Sequence, residues 1–149
     1  MKQVENISGG TNFTAITVGN LSELSNYVLT LSPEVQIPGK VFLGGALNTT
    51  GADISLQSFA VGSQTGFLHK HKNHEEIYLF IAGKGEFQVD GEIFTVGEGS
   101  LVRVAPEGIR SVRNTGDVEL VMLCIQYTAN SFTAEDAADG DILADEVKW

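Results

Sequence analysis

The chain has 149 residues, a formal net charge of -10, a pI near 4.5 and one cysteine, Cys124. This length fits one domain whose core holds without staples, and a lone cysteine excludes an intramolecular disulfide. The acidic balance repels phosphate backbones and anionic lipid, which argues against nucleic acid or membrane partners.

The longest apolar runs, such as residues 120–125, fall far short of the roughly 20 residues a membrane-crossing helix needs. No basic-then-apolar leader pattern opens the chain, and a cytoplasmic setting is predicted. Gly is abundant (17) and Pro scarce (3), and apolar residues arrive in short alternating runs punctuated by Gly, Asn and Asp. That pattern predicts many short strands joined by turns.

In chain order, residues 21–31 (LSELSNYVLTL) have an ambiguous period and read as a short helix or a strand pair. Strands are predicted at 54–61, 67–71, 76–82, 85–89, 92–96, 100–104, 111–114 and 118–127. Asp90-Gly91 sits between two of them, as a tight hairpin requires. Gly83, Gly85, Gly91 and Gly99 read as turn glycines, because no helix-starting pattern follows them. Residues 133–149 carry Glu135, Asp136, Asp139, Asp141, Asp145 and Glu146, and should be solvated. One helical turn is expected after Ser131, with Ile142, Leu143, Val147 or Trp149 tacking the segment down.

All three histidines fall within six residues, in GFLHKHKNHEEIYLF. On a strand at 67–71, Phe67, His69 and His71 share one face, and a turn over 72–75 would bring Glu76 back beside the imidazoles. Two imidazoles and a carboxylate make a facial donor set for iron, manganese, nickel or zinc. His74 lies in the predicted turn and is a lesser candidate ligand. Tyr78, Phe80, Phe67 and Phe87 read as core or pocket wall, Cys124 as a buried apolar thiol, and Glu75 as facing outward.

His69-x-His71, four residues, Glu76, six residues and Gly83 resemble the first motif of the cupin superfamily. GSLVRVAPEGIRSVRN, with Pro106-x-Gly108 and Asn114, resembles the second. The resemblance spans about residues 54–127. It implies an all-β, antiparallel double-stranded β-helix, or jelly-roll barrel, commonly a homodimer, with a small-molecule cavity inside. Residues 1–149 then form a single domain with its barrel core at about 41–128, N-terminal strands or a short helix at about 11–40, and an acidic tail at about 131–149.

The second motif in metal-binding cupins supplies a further histidine, and here none exists after His74. Arg110 or Ser111 takes that place, depending on where the motif is aligned. Arginine offers no lone pair to a metal. In one reading His69, His71 and Glu76 hold a single divalent ion while Arg110 grips an anionic ligand. In the other, Arg110 pairs with Glu76 and the cavity is metal-free. The functional alternatives are a metal-assisted oxygenase, isomerase or decarboxylase, a ligand-binding or sensing module, and an interaction scaffold using the acidic tail.

Overall fold

The computed structural model describes residues 1–149. β1 (Glu5–Gly10) and β2 (Phe13–Thr17) form a first hairpin. A 3-10 turn at Leu21–Asn26 leads into β3 (Val28–Ser32), which pairs with β4 (Val35–Pro38). The ambiguous stretch at 21–31 is thus half turn and half strand. Leu24 and Tyr27 fix the junction from inside: both are buried, and the Tyr27 hydroxyl lies 3.0 Å from the Gln3 carbonyl.

Then follow β5 (Lys40–Phe42), a single helical turn α1 (Gly44–Leu47), β6 (Ala52–Phe59), β7 (His74–Ala82), β8 (Lys84–Val89), β9 (Glu92–Gly97), β10 (Leu101–Val104), β11 (Arg110–Asn114) and β12 (Leu120–Thr128). One sheet has the order β10-β7-β12-β6-β5 and faces a second with the order β11-β8-β9. All pairings are antiparallel, as the double-stranded β-helix requires. The two sheets hydrogen-bond separately, so the interior lies between facing layers and not within one continuous cylinder.

Side-chain alternation explains both cores. On β12, Leu120, Met122 and Cys124 point between the sheets and join Phe59, Tyr78, Phe80 and Phe87. Val121 and Leu123 point the other way with Leu56 of β6, and there Leu24, Tyr27 and Leu43 cover the outer face of the larger sheet. The N-terminal segment therefore serves as a lid on that face.

Two turns need their residues. Asp90 and Gly91 both have positive φ (51° and 90°), the conformation of a two-residue hairpin between β8 and β9. At Gly83 (φ 83°), between β7 and β8, a Cβ would lie 2.3 Å from the Glu119 carbonyl oxygen. No larger residue fits there without moving the backbone.

The expected strand at 67–71 does not form. Residues 64–71 instead run along the edge of β11 with bridges only at Gln64 to Arg113 and His69 to Arg110. The other expected strands are present with ends shifted by one or two residues. Toward the C-terminus a 3-10 turn covers Asp136–Ala138 with Glu135 at its N-cap position, and Thr133, not Ser131, closes onto it: the Thr133 amide and hydroxyl both donate to Asp136 Oδ2 at 2.6 Å. Ile142, Leu143, Val147 and Trp149 are exposed and do not tack the tail down. The acids that surround them keep their water, so the segment has no continuous apolar stripe to dock. No helix is long and apolar enough to cross a membrane.

Candidate ligand and metal site

The inner face of the five-stranded sheet carries Glu76 and Tyr78 of β7. Their neighbours in register are Gln126 and Cys124 of β12. Opposite them, the extended segment before β7 delivers the imidazoles. The His69 amide and carbonyl bond reciprocally with Arg110 (3.3 and 3.0 Å), and the His71 amide donates to Pro106 O (2.9 Å). The histidines therefore ride on the β11 side and meet Glu76 across the sandwich. This replaces the predicted local hairpin, in which the histidine segment folded back on β7 itself.

The geometry is compact. His71 Nε2 lies 3.2 Å from Glu76 Oε1, His69 Nε2 lies 4.0 Å from Glu76 Oε2, and one donor atom from each residue falls within 4.8 Å of the others. The two imidazole rings are 5.4 Å apart, nearly perpendicular. His69 Nδ1 is buried with no hydrogen-bond partner, and His71 Nε2, also buried, has only the Glu76 carboxylate beside it and no well-aligned hydrogen bond to it. Such a donor set could hold a metal ion. His74, at the exposed start of β7, is not part of it.

Arg110 occupies the far side of the carboxylate. Its Nε and Nη2 donate to Glu76 Oε2 at 3.0 and 2.6 Å, and its Nη1 donates to the Gly108 carbonyl at 2.7 Å. The residue is 1% exposed. The Tyr78 hydroxyl donates to the same Oε2, and Cys124 Sγ lies 3.5 Å from Oε1.

Charge states follow from these contacts. Burial opposes ionisation of Glu76, but the hydrogen bonds from Tyr78 and Arg110 and the arginine's charge outweigh it and hold the carboxyl below its ordinary value. Burial, then the charge of Arg110, lowers His69, favouring the neutral imidazole that a metal ligand requires. Burial and the Glu76 charge push the Cys124 thiol up to about 12.

These groups stand at one end of a cavity of about 570 Å³. Phe67, Tyr78, Phe87 and Arg110 line it as well, whereas Phe80 is fully buried in the core and does not. Ser111 lines it beside Arg110. Sequence reading missed Lys40 and Gln57, which face the same space from β5 and β6. Alternation on β12 held a usable signal, since Met122, Cys124 and Gln126 share the face of the cavity. Nothing comparable marked the three-residue strand β5.

The sequence profile of the Cupin domain matches residues 55–126. The chain is 40% identical over 67 residues to an uncharacterised protein of Methanocaldococcus jannaschii, covering 45% of this chain and 53% of that one; it thus spans about half the length of that relative. A double-stranded β-helix protein of Klebsiella pneumoniae aligns with TM-score 0.55 at 17% identity, covering 73% of this chain and 90% of that chain, a likeness of fold alone. The crystal structure of a cupin protein from Bacteroides fragilis matches with TM-score 0.67 and 32% identity, over 77% of this chain and 94% of that chain. Sequence and architecture agree along nearly the whole of that relative, and the chain belongs to the cupin family.

Proposed function

We propose that this protein binds a small molecule in its interior cavity and holds one divalent metal ion at His69, His71 and Glu76. The observation that carries the reading is the convergence of His69, His71 and Glu76, one ligand atom of each within 4.8 Å of the others, with His69 Nδ1 buried and without a hydrogen-bond partner. Iron, manganese, nickel and zinc all suit two imidazoles and a carboxylate. A bound ion would supply Lewis acidity to a coordinated oxygen, the property used by metal-dependent oxygenases, isomerases and decarboxylases. Around it the chain's own residues orient the donors: Arg110 and Tyr78 fix the Glu76 carboxylate, and the backbone of β11 fixes His69.

A second reading has its own observation. Arg110, which with Ser111 is one of the two positions open to the family's further histidine, satisfies Glu76 through its bonds to Oε2 without any ion. In that case the cavity is a metal-free ligand pocket. Metal content per chain, measured by plasma mass spectrometry on untagged protein, separates the two. About one ion in wild type, lost in His71→Ala and held more tightly in Arg110→His, is the expected result. No ion in wild type but one gained in Arg110→His would mean that the arginine has closed the metal site.

A further inference from the structure

Two basic side chains, Arg110 and Lys40, line the cavity, and they are not equivalent. Arg110 is sealed, its guanidinium donating to Glu76 and to the Gly108 carbonyl. Lys40 is not. Its Nζ donates to Gln57 Oε1 at 3.2 Å and lies 5.1 Å from the Phe42 ring centroid, yet it makes no ion pair. Charges placed in an apolar interior are ordinarily paired; here burial lowers the pKa of Lys40, and nearby groups, Glu76 and Asp53 among them, offset this only in part because neither forms an ion pair with it.

The register sets the direction in which that charge acts. Lys40 pairs with Gln57, and Gln57 with Met122, so the three form one row across the sheet on the cavity side. β5 and β7 are three strand spacings apart, about 14 Å between axes. A molecule held at Lys40 therefore lies over Met122 and over Phe59, two residues further along β6 on the side away from the Glu76 row, with Ile37 of β4 lining the same space. Ammonium and amide at one end and apolar side chains along the length describe an elongated anion with an apolar body.

We propose that Lys40 is the anchor for an organic anion in this cavity, its acid group held between Lys40 and Gln57 and its apolar body lying along Met122 and Phe59. The proposal rests on the cavity being a ligand site and adds the class of ligand. It assigns anion recognition to a residue outside both cupin motifs, on the edge strand β5.

Two fluorescent probes of nearly the same shape test it: 8-anilinonaphthalene-1-sulfonate, an anion, and N-phenyl-1-naphthylamine, its uncharged counterpart. Titrated into the full chain, wild type should prefer the sulfonate. Lys40→Met should weaken sulfonate binding about tenfold and leave the uncharged probe unchanged, while Lys40→Arg keeps the preference. Melting curves confirm folding, and Lys40→Gln replaces the methionine variant if that one unfolds. Equal weakening of both probes by the substitution, or no weakening, would overturn the assignment. Wild type binding the uncharged probe without preferring the sulfonate would overturn Lys40 as anchor and leave the cavity a ligand site. Binding of neither probe would overturn both.

Discussion

Glu75 and Glu76 are neighbours on β7, and each is paired with an arginine, yet they live in different solvents. Alternation sends Glu76 into the sandwich, where Arg110 meets it at 1% side-chain exposure. Glu75 goes to the outer face, where the Tyr127 hydroxyl donates to Glu75 Oε1 at 2.6 Å; its own side chain is only 12% exposed, but its partner Arg103 is 62% exposed. The same two residue types, one position apart, form an internal strut and an external clasp. Surrounding water, not pairing chemistry, decides what each contributes: a pair whose cation stands in water gains little over hydration, while breaking a pair buried on both sides strands a charge.

The sharpest way to break the comparison is to remove each arginine. Arg110→Ala should lower the stability by about 3–5 kcal/mol in urea unfolding, because the Glu76 carboxylate is left buried without its counter-charge. Recovery of most of that loss in the double variant Arg110→Met with Glu76→Leu would show that the stranded charge, not lost packing, is the cause. A loss well under 1 kcal/mol in Arg110→Ala would mean that water enters the site freely and that the inside is not a distinct medium.

Cys124 reports on the same medium without any substitution. With its thiol pushed up to about 12, alkylation by iodoacetamide at neutral pH should run on the order of a thousandfold more slowly in the native chain than in urea. The native rate should rise about tenfold per pH unit while the fold persists, since only the thiolate reacts. Equal native and unfolded rates would contradict a buried, carboxylate-contacting thiol.

The smallest effect belongs to the clasp. Arg103→Ala should leave the unfolding midpoint within the scatter of repeated measurements, and raised salt should not distinguish it from wild type. A loss matching that of Arg110→Ala would erase the distinction between the two faces of β7.

How legible these features were depended on how locally they are encoded. Strands β6 to β12 were readable because alternation and turn residues are local, and Asp90-Gly91 adopts the positive φ values its sequence demands. The triad was readable as a set of residues, but its assembly was not. His69 reaches Glu76 through bonds to Arg110, 41 positions along the chain, and no nearby spacing records that pairing. Both alternatives for Arg110 were visible in advance; the observed bonds to Glu76 match the pairing in the second, while the donors of the first remain gathered at the same carboxylate. Lys40 was invisible because a three-residue strand shows no period, and only its register with Gln57 gives it a direction. The exposed tail shows the opposite error: apolar residues at 142, 143, 147 and 149 were expected to anchor, although the acids between them leave no face to bury.

The position of β12 carries a further consequence for how the protein is made. This strand lies between β7 and β6 at the middle of the five-stranded sheet, yet among the strands it is the last synthesised. Until residue 128 has left the ribosome, both β6 and β7 present an unpaired edge, and Phe59, Tyr78 and Phe80 lack the wall that covers them. Folding is therefore a late, nearly all-or-none event built on distant pairings, and the nascent chain is most prone to aggregate just before it happens.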